Sequence, residues 1–492
     1  MGSFDNDVYA LLPELFLLGA ALALLLFGVV YSTAPDYGSP SLVQTTQWFA
    51  LLSLGLTAVL LANQPVTTML CLSQSVQLDP FVTFCKTLIL AGSLGAGAIA
   101  FQYLDGAGRH SFEASVLALL ATLSLLCLVS AADLLPMYLA LEMQSLCFYV
   151  LAASQRDSEF STEAGLKYFL LGAFSSGLFL LGCALLYGLT GCTSFEALAL
   201  LCAGGYGGDG GLVPLALGLL GVGFCFKLGA APFHFWAPDV YEGAPTHVTA
   251  FFAIVPKAAL LGLFAKLFLG SFLELMPLWQ PALLGVGALS LLVGAVGAFA
   301  QRKLKRLLVY SGIGHLGFML LGLGCGTPEG LQAVLVYLAL YLVMSLQVFA
   351  CVLALQERTS GQRVRYIEDV RGLAQAHPAL AAALSLNFFS MAGLPPLVGF
   401  CAKFAVFFAA LGANLALAVG VAVASSVVSC FYALRFLKWM YFEGQAGAGV
   451  AWAPMDLPKA WVIATTSSAL LLGFAFPTPL FLWAEKAAAA LL

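Results

Sequence analysis

Apolar runs long enough to cross a bilayer recur from one end of this chain to the other, and nothing else in it constrains the fold as strongly. A helix spans the hydrocarbon core with about 20 apolar residues. Fourteen such runs can be drawn, at 10–31, 42–62, 81–104, 112–131, 134–153, 163–190, 211–236, 246–268, 279–300, 304–324, 329–355, 379–411, 414–440 and 459–483. In lipid every backbone N–H and C=O must be satisfied within its own segment or by closure into a barrel. The expected fold is therefore an all-α polytopic membrane protein of about 14 transmembrane helices. Only 9% of the 492 residues are charged, against about 25% in soluble domains. No basic face points to nucleic acid, and the net charge is only −4. The first run is preceded by Asp5 and Asp7, not by the basic n-region of a cleavable signal.

The usual sites of soluble chemistry are missing. Twelve cysteines are scattered through apolar segments without a Cys-x-x-Cys pair, as small core hydrophobes would be. Five histidines and few carboxylates show no metal-ligand spacing, and there is no P-loop or nucleophile elbow. The glycine-rich run at 204–211 follows no strand and reads as a loop, not a phosphate cradle.

Loop charge orients the spans, because Lys and Arg are retained on the inner side. Basic residues fall at Arg156, at Arg302, Lys303, Lys305 and Arg306, at Arg358, Arg363, Arg365 and Arg371, and at Arg435 and Lys438. Each group follows or ends an odd-numbered span. The joins after even-numbered spans carry Asp79, Asp133, Glu196, Asp209, Glu274 and Glu329 instead. Both termini are thereby expected on the outer, positive side. The short join Ala132-Asp133 calls for a tight antiparallel hairpin.

Two spans are interrupted. Span seven breaks at Ala231-Pro232 and span twelve at Gly393-Leu394-Pro395-Pro396. The breaks lie about 120 residues after the start of span four and about 116 after the start of span nine. Spans four to eight and nine to thirteen thus read as two five-helix units. An odd helix number inverts the second, the mark of an inverted-repeat transporter core. The expected divisions are 1–111 (three N-terminal helices), 112–268 (first repeat), 279–440 (inverted second repeat) and 441–492 (last span). The lysines beside the breaks do not align: Lys227 precedes its proline, whereas Lys403 follows Pro396.

Charges inside the spans are the candidate functional residues. A charged side chain at mid-bilayer costs about 2.5–3.5 kcal/mol on insertion scales, and a helix-interior proline about 3 kcal/mol. Lys227 with Pro232 combines both costs, which a cavity-lining segment tolerates. Lys257 and Lys403 are also mid-span, whereas every Arg lies at or near a span end. Lysine gives up its proton on burial more readily than arginine, as a proton carrier must. Snorkelling to the interface is the alternative for an intramembrane lysine, and it suits Lys86, Lys266 and Lys438. Glu142 lies mid-span in span five and Lys167 near the start of span six, where the hairpin can bring them within ion-pair reach. Such a pair is either a packing salt bridge or a movable switch. His234 lies just past the first break and His315 inside span ten; each can relay a proton or be a hydrogen-bonded core residue. Pro256 beside Lys257 can kink span eight.

These residues lie in stretches that resemble a known family. KLGAAPFHFWAPDVYEGAPT (Lys227–Thr246) is similar to the hallmark of the antiporter-like membrane subunits of respiratory complex I, and to their N type in particular. LEMQSLCFYVLA from Leu141, STEAGLKYFLLGAFSSG from Ser161, LKRLLVYSGIGHLGF from Leu304, IEDVRGL from Ile367 and MAGLPPLVGFCAKF from Met391 fit as well. Lys403 stands where the sister M type usually carries Glu, and no long amphipathic arm follows span fourteen as it does in the L type. QRDSEFSTEAGLKYF from Gln155 resembles mitochondrial copies of plants and green algae. Gly312 departs from the family, which often has a second serine after Ser311.

The resemblance implies a proton-translocating subunit of NADH:ubiquinone oxidoreductase in the mitochondrial inner membrane, or the bacterial plasma membrane. Glu142 and Lys167 would be the charge pair, Lys227 and Lys257 the central carriers, His234 the connector and Lys403 the distal carrier. It implies no metal and no cofactor in this chain: NAD, FMN, iron–sulfur clusters and ubiquinone would belong to other subunits, leaving bound water and lipids here. Partners would be a neighbouring antiporter-like subunit, small membrane subunits and the lateral helix of the distal subunit. A cation/proton antiporter subunit of the same superfamily and a structural spacer are the other functions consistent with the residues.

Overall fold

A computed structural model describes residues 7–32, 41–64, 68–101, 112–204, 211–356, 363–443 and 452–491. The glycine-rich run at 205–210, Asp5, Asp209 and Arg358 lie outside the described residues. Among these residues the chain is helical apart from one short antiparallel hairpin, β1 (Met69–Cys71) with β2 (Val76–Leu78). Among the described residues twelve helices are long and apolar enough to cross a membrane, and three shorter apolar helices accompany them. The all-α polytopic class is what the apolar runs require.

The chain divides into two compact units, the first comprising Met1–Leu228, Gly243–Gln280 and Glu485–Leu492. The first unit holds α1 (Leu12–Ser32), α2 (Ser41–Ala62), the hairpin, α3 (Pro80–Ala100), α4 (Glu113–Ser130), α5 (Leu134–Ala152), α6 (Glu159–Thr190), the short α7 (Phe195–Ala203), α8 (Leu212–Leu228) and α10 (Thr246–Ala265). Aspartates from two of the acidic joins start helices here. Asp79 Oδ1 accepts from Val82 N at 2.6 Å at the head of α3, and Asp133 Oδ1 from Leu135 N at 2.9 Å at the head of α5. Each satisfies a backbone donor the helix leaves open.

The same joins come together on one face of this unit. Ala132 N donates to Ser75 O at 2.9 Å, Leu134 N to Thr193 O at 3.1 Å, and Thr193 Oγ1 to Asp133 Oδ2 at 2.7 Å. The connections after α2, α4 and α6 thus meet, as strict alternation of spans demands. Every residue of α10 is buried. It lies against α3 and α4 and runs on into a π-helical turn, Lys266–Ser271.

The second unit comprises Gly229–Glu242 and Pro281–Ala484. It takes in most of α9 (Trp236–Gly243) and of α11 (Met276–Phe299), together with α12 (Leu304–Gly324), α13 (Pro328–Ala354), the one-turn α14 (Leu373–Ala376), α15 (Pro378–Ala392), α16 (Val398–Gly412), α17 (Ala416–Tyr441) and α18 (Leu457–Ala475). Two basic joins meet here through Leu304 N to Arg365 O and Ile367 N to Arg302 O, both 2.9 Å. The last expected span, 459–483, is instead two helices. α18 stops at Ala475 and α19 (Thr478–Ala489) starts after Pro477, because a proline disfavours helical backbone at the residue before it.

Both expected breaks are real and share a form. α8 ends at Leu228 and Gly229 follows with φ 76°; α15 ends at Ala392 and Gly393 follows with φ 86°. Only glycine adopts such backbone without cost. Each lies three residues before a cis proline, Pro232 or Pro396. Past the second break the chain packs too closely for any side chain at Gly399, where a Cβ would sit 1.8 Å from Ser390 O. Gly399→Ala is expected to destabilise by about 3 kcal/mol or more. Gly19→Ala, in α1 with nothing within 4 Å of the new methyl, should instead stabilise by about 0.5–1 kcal/mol. Thermal unfolding in detergent compares the two.

Candidate functional site

In the first unit the end of α8 is held against α5. Lys227 Nζ donates to Ser145 Oγ, and Ser145 Oγ donates in turn to Leu141 O at 2.7 Å. Glu142 precedes Ser145 by three residues on α5, so it lies one helical turn away. Its Oε1 is buried and accepts no hydrogen bond, and its charge acts on Lys227. A serine hydroxyl accepts from an ammonium and equally from a neutral amine, so the contact survives loss of the proton. Lys257 lies eleven residues into α10, about 16 Å along the helix axis, and is 8% exposed. Lys257 lies too far from either end of its buried segment to snorkel, whereas Lys227, in the last turn of α8, is held by Ser145.

The expected approach of Glu142 to Lys167 is not the pairing found. Lys167 Nζ meets Glu163 Oε1 at 2.7 Å, one turn back on α6, with 44% of the lysine side chain exposed. Spacing of i to i+4 on one exposed helix face makes that the nearer partner. The charge of Glu142 acts on Lys227. Lys86 and Lys266 do not snorkel either: they are 1% and 3% exposed. Lys86 is paired with Glu14 of α1, also buried. Their spans face neighbouring helices, not lipid, at these positions. Lys438 behaves as expected, with its ammonium exposed and 3.0 Å from Glu443.

In the second unit Lys403, 5% exposed, reaches back from α16 across the break. Its Nζ donates to Ala392 O at 2.8 Å, the last carbonyl of α15, and lies 5.1 Å from the Phe318 ring centre. A helix C-terminus carries partial negative charge and favours a cation. A cavity of about 20 Å³ adjoins it, lined by Ser311, His315, Lys403, Ser425 and Tyr432 among others. His315 Nδ1 is 2.7 Å from Tyr337 Oη. His234 is buried, stacks on Phe235 at 4.8 Å between ring centres, and has no hydrogen bond at Nδ1.

Ser145, Tyr337 and an ionic cluster on α9 escaped sequence inspection. Arg306 pairs with Asp239 at 2.7 Å and with Glu242, which also takes Lys303. The cluster ties the KLGAAPFHFWAPDVYEGAPT stretch to LKRLLVYSGIGHLGF. Asp239 and Glu242, three apart in an otherwise apolar segment, were the available signal. Among the described residues no group of three or more His, Cys, Asp or Glu could hold a metal ion.

Residues 131–429 match the family model described as NADH:quinone oxidoreductase/Mrp antiporter, TM. The chain belongs to the NADH:quinone oxidoreductase/Mrp antiporter transmembrane family. NADH-ubiquinone oxidoreductase chain 2 of Marchantia polymorpha is 46% identical over 97% of this chain and 98% of its own length. NADH-quinone oxidoreductase subunit N of Rhodospirillum rubrum is 42% identical over 96% and 94%. Among solved structures, a chain of respiratory complex I from Thermus thermophilus with bound Aureothin superposes with TM-score 0.79 at 32% identity, covering 95% of this chain and 98% of that one. In this member of the NADH:quinone oxidoreductase/Mrp antiporter family, Glu142, Lys167, Lys227, His234, Lys257 and Lys403 all lie inside the matched region. Glu14 and Lys86 lie outside it.

Proposed function

We propose that this chain is a proton-translocating membrane-arm subunit of NADH:ubiquinone oxidoreductase, moving protons along Lys227, Lys257 and Lys403 while quinone is reduced elsewhere in the complex. The observation that carries this reading is three lysines held inside the spans, Lys257 and Lys403 buried and Lys227 half-buried. The hydrogen-bond partners of Lys227 and Lys403, a hydroxyl and a helix-end carbonyl, are neutral. Such partners hold an amine in either protonation state, as a carrier needs and a fixed salt bridge does not. Glu142 gates Lys227, Lys167 exchanges partners with it, and His234 connects the sets. The names of the relatives above support the complex; redox cofactors belong to other subunits, with water and lipid bound here. The partners are the other membrane-arm subunits.

The architecture read into this function has fourteen spans. The twelve long helices supply twelve, and α8–α9 and α15–α16 supply the two broken ones. The inverted repeats are 112–268 and 279–440, flanked by 1–111 and 441–492. The matched form of the breaks supports the repeat. Basic joins sharing one face support an orientation with both termini outside, in a mitochondrial inner membrane or bacterial plasma membrane.

Lys257→Met in the assembled complex tests the reading. NADH oxidation should keep the complex present while proton uptake per electron falls severalfold. Unchanged pumping would sink it. The family description also covers antiporters, and sodium-driven proton flux without NADH would select that function instead. Normal pumping with lost assembly would select the spacer.

A further inference from the structure

Lys266 has no role in the proton path set out above, and its surroundings are not those of a snorkelling or strut lysine. We propose that Lys266 is a proton-exchange group at the floor of a polar vestibule, through which the first unit releases protons on the face where its even-numbered joins meet. The proposal rests on the proton-translocating function argued above and adds an exit to it.

Three observations place the group. The cavity beneath the β-hairpin is about 420 Å³, lined by Lys266 together with Gln74, Gln77, Ser194, Glu196 and Ser271. That is room for on the order of ten waters among polar side chains. Gln74 and Glu196 at its rim are exposed, whereas Lys266 at its floor is 3% exposed. Second, the ammonium is poorly served by protein. Among the described residues its one hydrogen bond goes to Val129 O at 3.4 Å, although three N–H donors are available. A buried ammonium left this way is costly unless water reaches it.

Third, a buried carboxyl feels the ammonium's charge but is not bonded to it. Asp79 is 1% exposed and its Oδ2 has no hydrogen-bond partner. Burial pushes its carboxyl up from the usual range, against the Val82 N–H and the charges of Lys266 and Lys86. Asp79 and Lys266 thus feel each other without forming a salt bridge. A strut would close that pair; an exchanger leaves the ammonium unpaired in the vestibule lining. Lys86, paired with Glu14, is a second positive charge that acts on Asp79.

The location suits an exit. Lys266 follows Lys257 by nine residues on one continuous buried segment, about 14 Å of helix rise. It therefore sits between the deep carrier and the surface. In the step itself an N–H bond of the ammonium breaks and an O–H bond forms on a vestibule water. The electron pair stays on Nζ and the extra proton leaves with the water. A proton arriving from the interior restores the ammonium. Nothing is oxidised or reduced.

The test uses the assembled complex in sealed membranes. Arginine keeps the charge and length but does not release its proton. Lys266→Arg should therefore assemble and oxidise NADH, with proton pumping per electron severalfold lower. If it pumps like the parent, Lys266 is a strut and the proposal falls. Should the arginine variant not assemble, accessibility decides. A cysteine placed by Ser271→Cys should be labelled by a small membrane-impermeant thiol reagent added on the outer side. No labelling, or labelling only from the inner side, overturns the vestibule. Retained pumping in Lys266→Arg beside lost pumping in Lys257→Met would discard only this exit. Retained pumping in Lys257→Met would remove the function it rests on.

Discussion

Replacing Lys227 by alanine is expected to abolish proton flux through this chain while the assembled complex persists. A positioned acid or base contributes about 10²–10⁴-fold to a proton-transfer step, so the flux through this site should fall at least about 100-fold. The alanine also leaves Glu142 without its cationic neighbour and Ser145 Oγ without a donor. Removing one partner of a half-buried charge interaction is destabilising, and some loss of thermal stability should accompany the lost flux. Lys227→Arg separates the two effects. It restores a cation beside Glu142 but cannot pass a proton, so stability should recover and pumping should not. NADH-driven proton uptake per electron, with complex abundance measured beside it, checks both. Full pumping in the arginine variant would show that Lys227 only holds α8 against α5.

Lys403→Met is expected to have nearly as large an effect on flux and the opposite effect on stability. The ammonium reaches one carbonyl, Ala392 O, and the face of Phe318. Among the described residues it has no carboxylate partner to leave stranded. Methionine has similar length and flexibility, and replacing a buried charge by a well-packed apolar group is often neutral or stabilising. The variant should therefore assemble at parental levels, hold or raise its melting temperature, and lose proton pumping. A variant that pumps normally would exclude Lys403 as a carrier. One that fails to assemble would make the lysine a support for the break at Gly393, whose own Cβ would lie 2.8 Å from Lys403 Cδ.

Some features of the chain could be read without coordinates because their causes are local. In lipid a backbone must satisfy itself within its own segment, so runs of apolar residues announce helices. Asp79 and Asp133 mark helix starts because their short side chains cap them. Gly229 and Gly393 mark helix ends because their backbone is left-handed. Those local rules were enough to set out most of the helices, the two breaks and the lysines that lie inside the spans.

Which charge meets which was settled only by tertiary packing. Lys167 takes Glu163 on its own helix and Lys227 stands by Glu142. Lys86 and Lys266 turn inward, and Asp239 and Glu242 gather Arg306 and Lys303. A helix presents about 3.6 residues per turn in every direction, and in uniformly apolar segments little in the sequence says which direction faces protein. That choice belongs to the neighbouring helices, because they alone determine whether a buried ammonium finds lipid, a carbonyl or a carboxylate.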